Sequence, residues 1–189
     1  MELSPKNISV VIPAAGKRTK ELEQIISHLK GLGFEDLIII HDDGNRLLNR
    51  KFGAYRAKYD WIYTQDDDVI VKNIPELIKE AEDNKIVANM QEKHIAFYEK
   101  EENGGGKICL IGWGGIFKRD LFFNCGEYTK KFPQDDLYKR EFDRVFTWLN
   151  EKKLIIGDLE HFESAKEGMY KDKGHWDDLK AIINNLKQL

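Results

Sequence analysis

The chain has 189 residues, 41% hydrophobic and 33% charged, with a formal net charge of −3 and an isoelectric point near 6.0. That balance suits a globular domain with a sizeable core, and it leaves no electrostatic footprint for nucleic acid. Residues 1–6 (MELSPK) lack the basic and apolar regions of a signal peptide, and no apolar run reaches membrane-span length. A soluble cytoplasmic protein without a transmembrane segment is expected, with peripheral attachment to a membrane left open.

Ile8-Ser9-Val10-Val11-Ile12 is a short β-rich run closed by Pro13, and reads as a buried strand. Thr19 is placed to cap a helix whose apolar face is Leu22, Ile25, Ile26, Leu29 and Leu32, stopped by Gly31 and Gly33. Leu37 to Ile40 is a second apolar run, followed by the turn-forming His41-Asp42-Asp43-Gly44-Asn45. Strand, helix, strand at this spacing is a βαβ unit and implies a parallel sheet. A weaker helix is expected from Leu47 to Lys58, a strand over Trp61–Thr64, a helix starting at Pro75, and a strand over Ile86–Met90.

Glu99 to Lys107, with Gly104-Gly105-Gly106, reads as a mobile surface loop. A strand is expected over Ile108–Ile111, running into Gly112-Trp113-Gly114-Gly115, with a strand or short helix over Phe117–Phe123. One helix is expected from Pro133 to Asn150, a strand over Lys153–Ile156, and a terminal helix from Trp176 facing inward through Leu179, Ile182, Ile183 and Leu186. Cys109 and Cys125 form no CxxC motif and read as reduced core thiols. No repeat or linker divides the chain, so one α/β domain spanning residues 1–189 is expected, its mostly parallel sheet flanked by helices.

Trp61 to Val71 carries three consecutive carboxylates: an apolar run enters Asp66-Asp67-Asp68 and another leaves it. Three adjacent carboxylates repel one another, and burying them without partners is costly. Either they form a solvated turn or a cation compensates them, and hard carboxylate oxygens suit Mg²⁺ or Mn²⁺. Parallel α/β sheets bind ligands at the carboxyl ends of their strands. The segments to weigh are therefore Pro13 to Arg18, Asp42 to Gly44 and Asp66 to Asp68.

Residues 8–45 (ISVVIPAAGKRTKELEQIISHLKGLGFEDLIIIHDDGN) resemble the opening of a GT-A glycosyltransferase of the family 2 type, with Asn45 where that pattern carries serine. Gln65-Asp66-Asp67-Asp68 falls where these enzymes carry their DxD motif. The resemblance implies a (Rossmann-like) GT-A fold in which Asp68 binds a divalent cation, Mn²⁺ or Mg²⁺. Asp66 and Asp67 would meet the donor, Asp43 would lie near its base, and Pro13 and Ala14 would border it. Gly112-Trp113-Gly114-Gly115 resembles the glycine-rich loop beneath the donor sugar, with Gly114 and Gly115 contacting it. Gln134-Asp135-Asp136 resembles the "xED" motif with Asp135 replacing glutamate, which makes Asp136 the general base. His161, 25 residues beyond Asp136, is by the same pattern a metal ligand, with His175 as its rival.

The activity so implied is transfer of a sugar from a nucleoside diphosphate sugar to the hydroxyl of a glycan, lipid-linked or small-molecule acceptor. It inverts configuration if Asp136 activates an attack from the opposite face, and a retaining course is the alternative. Two other readings compete. Ile12-Pro13-Ala14-Ala15-Gly16 is also similar to the first motif of sugar-phosphate nucleotidyltransferases, although Lys17-Arg18-Thr19-Lys20 lacks the second glycine of that motif. A non-catalytic sugar-nucleotide-binding module on the same fold is the third.

Overall fold

A computed structural model describes residues 2–14, 16, 18–41, 48–133, 135–164 and 173–189. The run from Ile8 to Ala14 forms strand β1, α1 spans Thr19–Gly31, and β2 spans Asp36–His41. β1 pairs in parallel with β2 on one side and with β3 (Trp61–Thr64) on the other, as the βαβ pattern requires. Leu22, Ile25 and Leu29 bury one face of α1, but the helix begins at Thr19 itself, with no side-chain cap. Between β2 and β3 lies α2 (Asn49–Arg56). Its Gly53 lets the helix press onto β1, where an added Cβ would stand 2.4 Å from Val11.

The chain then forms β4 (Val69–Val71), α3 (Ile74–Lys79), β5 (Ile86–Met90), α4 (Glu92–Tyr98), β6 (Gly115–Lys118), α5 (Gly126–Lys131), α6 (Leu137–Arg140), α7 (Phe142–Trp148), β7 (Lys152–Ile156), β8 (Leu159–His161) and α8 (Lys173–Leu186). The main sheet runs β2-β1-β3-β6-β5-β7. Within it β6 is antiparallel to both of its neighbours, which leaves the other strands mutually parallel. A separate ribbon pairs β4 with β8. Buried apolar groups fill both faces: α1 and α3 cover one, and the aromatic set Phe117, Phe122, Phe142 and Phe146 packs with α7 and α8 on the other. Both cysteines are buried, and burial pushes each thiol up to about 12. Among the described residues no helix is long and apolar enough to cross a membrane.

Two expectations fail locally. Ile108–Ile111 forms no strand; the place between β3 and β5 is taken by β6, and the Cys109 and Leu110 N–H groups donate to Thr147 Oγ1 at 3.3 Å and Met90 Sδ at 3.3 Å. The helix expected from Pro133 to Asn150 is broken in two at Glu141, whose φ of −101° and ψ of 20° leave the helical region and whose buried carboxylate pairs with Arg144. Glu99 to Lys107 is mostly exposed, as a surface loop requires, and is closed by hydrogen bonds within the turn. Gly104, Gly105 and Gly106 all take positive φ there, and the N–H of Gly106 donates to Tyr98 O at 2.8 Å.

Candidate functional site

Beyond the end of β3, Gln65 fixes the turn that carries the acids. Its amide donates to Val69 O at 2.6 Å and accepts from the Tyr63 hydroxyl at 2.8 Å. The three carboxylates then diverge. Asp66 turns to Arg50, a fully buried guanidinium projected from α2. Arg50 also donates through Nε to both oxygens of Asp143 on α7 (3.0 and 2.9 Å), and through Nη1 to Thr64 Oγ1 at 2.8 Å and to Gln65 O at 3.3 Å. Burial works against the Arg50 cation, but Asp143 and Asp66 more than offset it and raise its pKa.

Asp67 and Asp68 turn the other way, to Arg18 at the carboxyl end of β1. Arg18 Nη1 stands 2.5 Å from Asp67 Oδ1, and Nη2 stands 3.4 Å from Asp68 Oδ2. Four carboxyl groups therefore share two guanidinium groups, two more acids than cations. The strain of that imbalance falls on Asp68, which burial and the neighbouring Asp66 push up to about 7 against the pull of Arg18. Burial likewise pushes Asp143 up to about 6, with Arg50 opposing.

The β4–β8 ribbon brings His161 to this cluster. Val69 faces His161 in the ladder, and the N–H of Phe162 donates to Asp68 O at 3.0 Å. The His161 ring lies edge-on to Trp113 at 5.2 Å, and His94 flanks the same indole at 4.5 Å. Desolvation lowers the pKa of His161 despite the attraction of Asp66, which favours the neutral imidazole, the form that ligates metals.

The glycine run also reaches the acids, though its glycines answer to the protein itself. Gly112 O accepts from Asp66 N–H at 2.7 Å, and a Cβ on Gly112 would lie 2.2 Å from Asp66 Oδ2. Gly114, at φ +97°, leaves room for Asn89, Val71 and Leu77, while Gly115 leaves room for Ile111. Pro13 and Ala14 end β1 beside Ile40 and His41.

Among the described residues no three His, Cys, Asp or Glu side chains converge as a ready-made metal cage. The donor set nevertheless fits a hard divalent ion. Asp68 and Asp66 keep side-chain exposures of 18% and 33%, the cluster holds two more acids than cations, and Mg²⁺-type sites complete themselves with water and phosphate oxygens.

Asp135 and Asp136 have different surroundings. The Asp135 carboxylate accepts from the Tyr128 hydroxyl, from Asn185 Nδ2 at 3.1 Å and from the Leu137 N–H at 2.9 Å, which ties α5, α6 and α8 together. Asp136 is 88% exposed and meets Lys139 Nζ at 2.6 Å. Both acids border an open groove of about 440 Å³ walled by Leu48, Phe132 and Tyr138. Asp43, Lys17 and the side chain of His175 lie outside the described residues.

Asp143, and its pairing with Arg50, is the part of the cluster that sequence reasoning passed over. Its signal was an acid set between Phe142 and Val145 on an apolar helix, since a carboxylate buried at such a place requires a cation.

No protein-family model and no curated protein matches the chain. Among solved structures it is similar to a variant of Drosophila β-1,4-galactosyltransferase 7 in complex with manganese, UDP-Gal and xylobiose. The TM-score is 0.53 at 13% identity, covering 90% of this chain and 79% of that one. The mixed sheet flanked by helices is thus a GT-A fold.

Proposed function

We propose that the chain is a metal-dependent glycosyltransferase that moves a sugar from a nucleoside diphosphate sugar to an acceptor hydroxyl. The observation that carries this reading is the cluster beyond β3, where four carboxylates share two guanidinium groups at the strand ends where α/β sheets bind ligands. The galactosyltransferase of like fold was crystallised with manganese and UDP-Gal, which makes a uridine donor the first to test.

In this reading Asp68 and His161 hold Mn²⁺ or Mg²⁺, which when bound supplies Lewis-acid stabilisation of the leaving diphosphate. Arg50 keeps the Asp66 carboxylate still for the donor ribose or sugar. The groove beside Asp136 receives the acceptor, with Phe132 and Tyr138 offering aromatic surface. Asp136 takes the proton of the attacking hydroxyl, and Lys139 Nζ orients its carboxylate. The same ion pair, 2.6 Å long, favours a second reading, a module that binds the sugar nucleotide without transferring it.

Thermal unfolding with a panel of nucleoside diphosphates, with and without Mn²⁺, tests the proposal. At a hundredfold excess over Kd a ligand stabilises by about 2.7 kcal/mol, worth roughly 5–10 °C at this chain length. The shift should require Mn²⁺ and vanish in Asp68→Ala. Asp136→Asn should keep the shift and lose sugar transfer. Equal nucleotide affinity in Asp68→Ala and the parent would sink the metal assignment, and undiminished transfer by Asp136→Asn would sink the base.

A further inference from the structure

The two arginines of the acidic cluster are not equivalent. Arg50 is fully buried and fastened by Asp66, Asp143, Thr64 and Gln65, so it is a fixed part of the fold. Arg18 stands at the rim, 19% exposed, and its two contacts are unequal. The one to Asp67 is short, at 2.5 Å, and engages a carboxylate only 5% exposed. The other spans 3.4 Å to Asp68, the more exposed acid of the two. One end of the guanidinium is anchored, and the other lies over the Asp68 carboxylate.

We propose that Arg18 is the resident counter-ion of the acidic run, competing with the divalent ion for Asp68. It turns about its Asp67 anchor to meet the diphosphate when the donor arrives. This deepens the transferase reading and rests on it. The chemistry favours an exchange over simple addition. A cation arriving at Asp68 while Arg18 stays in place meets a positive charge at close range. A diphosphate at the same rim gives the displaced guanidinium an anion of matching fork geometry. Cation and nucleotide then each bind better with the other present, and by linkage the two enhancements are equal. A built-in cation also lets the metal-free chain keep three adjacent carboxylates folded, which would otherwise repel.

The experiment is a titration of free Mn²⁺ by electron paramagnetic resonance, for the parent and for Arg18→Gln, each with and without UDP. Arg18→Gln should bind Mn²⁺ alone about tenfold more tightly than the parent, within the usual range of coupling between two sites. The enhancement by UDP should shrink by the same factor. Unchanged or weaker Mn²⁺ binding by Arg18→Gln would overturn the proposal. The parent alone provides a second check that does not depend on the variant's folding. If Mn²⁺ binds the parent as tightly without UDP as with it, Arg18 is no barrier and the proposal fails. Failure of the transferase reading looks different: Mn²⁺ and UDP bind with the expected coupling, and no sugar is transferred from any donor.

Discussion

Gly112 offers a sharp test of how the acidic run is held. Replacing it by alanine puts a Cβ 2.2 Å from Asp66 Oδ2, 2.6 Å from its Cγ and 2.8 Å from Oδ1, whereas ordinary contact begins at 3.4 Å. The carboxylate would have to retreat by about 1 Å, yet it is fixed at Oδ1 by the Arg50 guanidinium and at its backbone by Gly112 O. Overpacking of this kind costs about 1–3 kcal/mol, and a lost hydrogen bond to a charged group costs about 1.5–3 kcal/mol. Because either the clash or the bond gives way, Gly112→Ala should cost about 3 kcal/mol, a fall in Tm of roughly 6–12 °C. Gly112 is not among the glycines with positive φ, so alanine meets no backbone penalty there. In an Asp66→Ala background the same substitution should therefore fall within about 0.5 kcal/mol of neutral. Urea unfolding of the four proteins closes the cycle, with m-values held constant as the check on two-state behaviour. Equal costs in the two backgrounds would refute the claim that Gly112 is glycine because of Asp66.

Further outcomes follow from the same cluster. Arg50→Met should destabilise by about 3–5 kcal/mol by stranding Asp143; Arg50→Met with Asp143→Leu should recover part of that, and chemical denaturation showing no recovery would count against a buried pair. Asp68 and Asp143 titrate near 7 and 6 in the folded chain, both above 3.8. Folding therefore takes up protons, and their contribution to stability is complete below about pH 4 and lost as pH rises through about 6 and 7. With chelator present, the parent should lose stability relative to Asp68→Asn between about pH 5 and 8; a gain would contradict the sign. Asp135→Ala should cost about 2 kcal/mol by unfastening a helix start and Tyr128, while Asp136→Ala stays within about 0.5 kcal/mol. Equal effects in thermal unfolding would erase the distinction between the structural and the exposed acid.

The βαβ opening was legible because its periodicities are strong: an unbroken apolar strand at Val10–Ile12 and a two-turn apolar stripe from Leu22 to Leu29. Asp66-Asp67-Asp68, His161 and the Gly112–Gly115 run were legible as a set, and the fold brings them together at one end of β3. Their detailed partners were not, because they depend on distant pairings that leave no local mark. Nothing near Arg50 announces Asp143, and nothing near Asp66 announces that Gly112 must yield space. The misplaced strand at Ile108–Ile111 has the same cause. Its apolar residues fit a strand, but β6 had already filled the slot that a strand needs. The break at Glu141 escaped notice because the helical stripe of Tyr138, Phe142 and Val145 continues across it.

The span of these pairings also governs when the site comes into being during synthesis. Arg50 meets Asp143 across 93 positions, and β4 waits for β8 over a similar distance. Translation at about 5–20 residues per second therefore leaves a nascent chain for several seconds with β1 and β3 made and Arg50 lacking the Asp143 carboxylate. Long-range closures of this kind slow folding. The acidic cluster is then the last part of this region to assemble, and a chain cut short before Asp143 leaves Arg50 without that carboxylate.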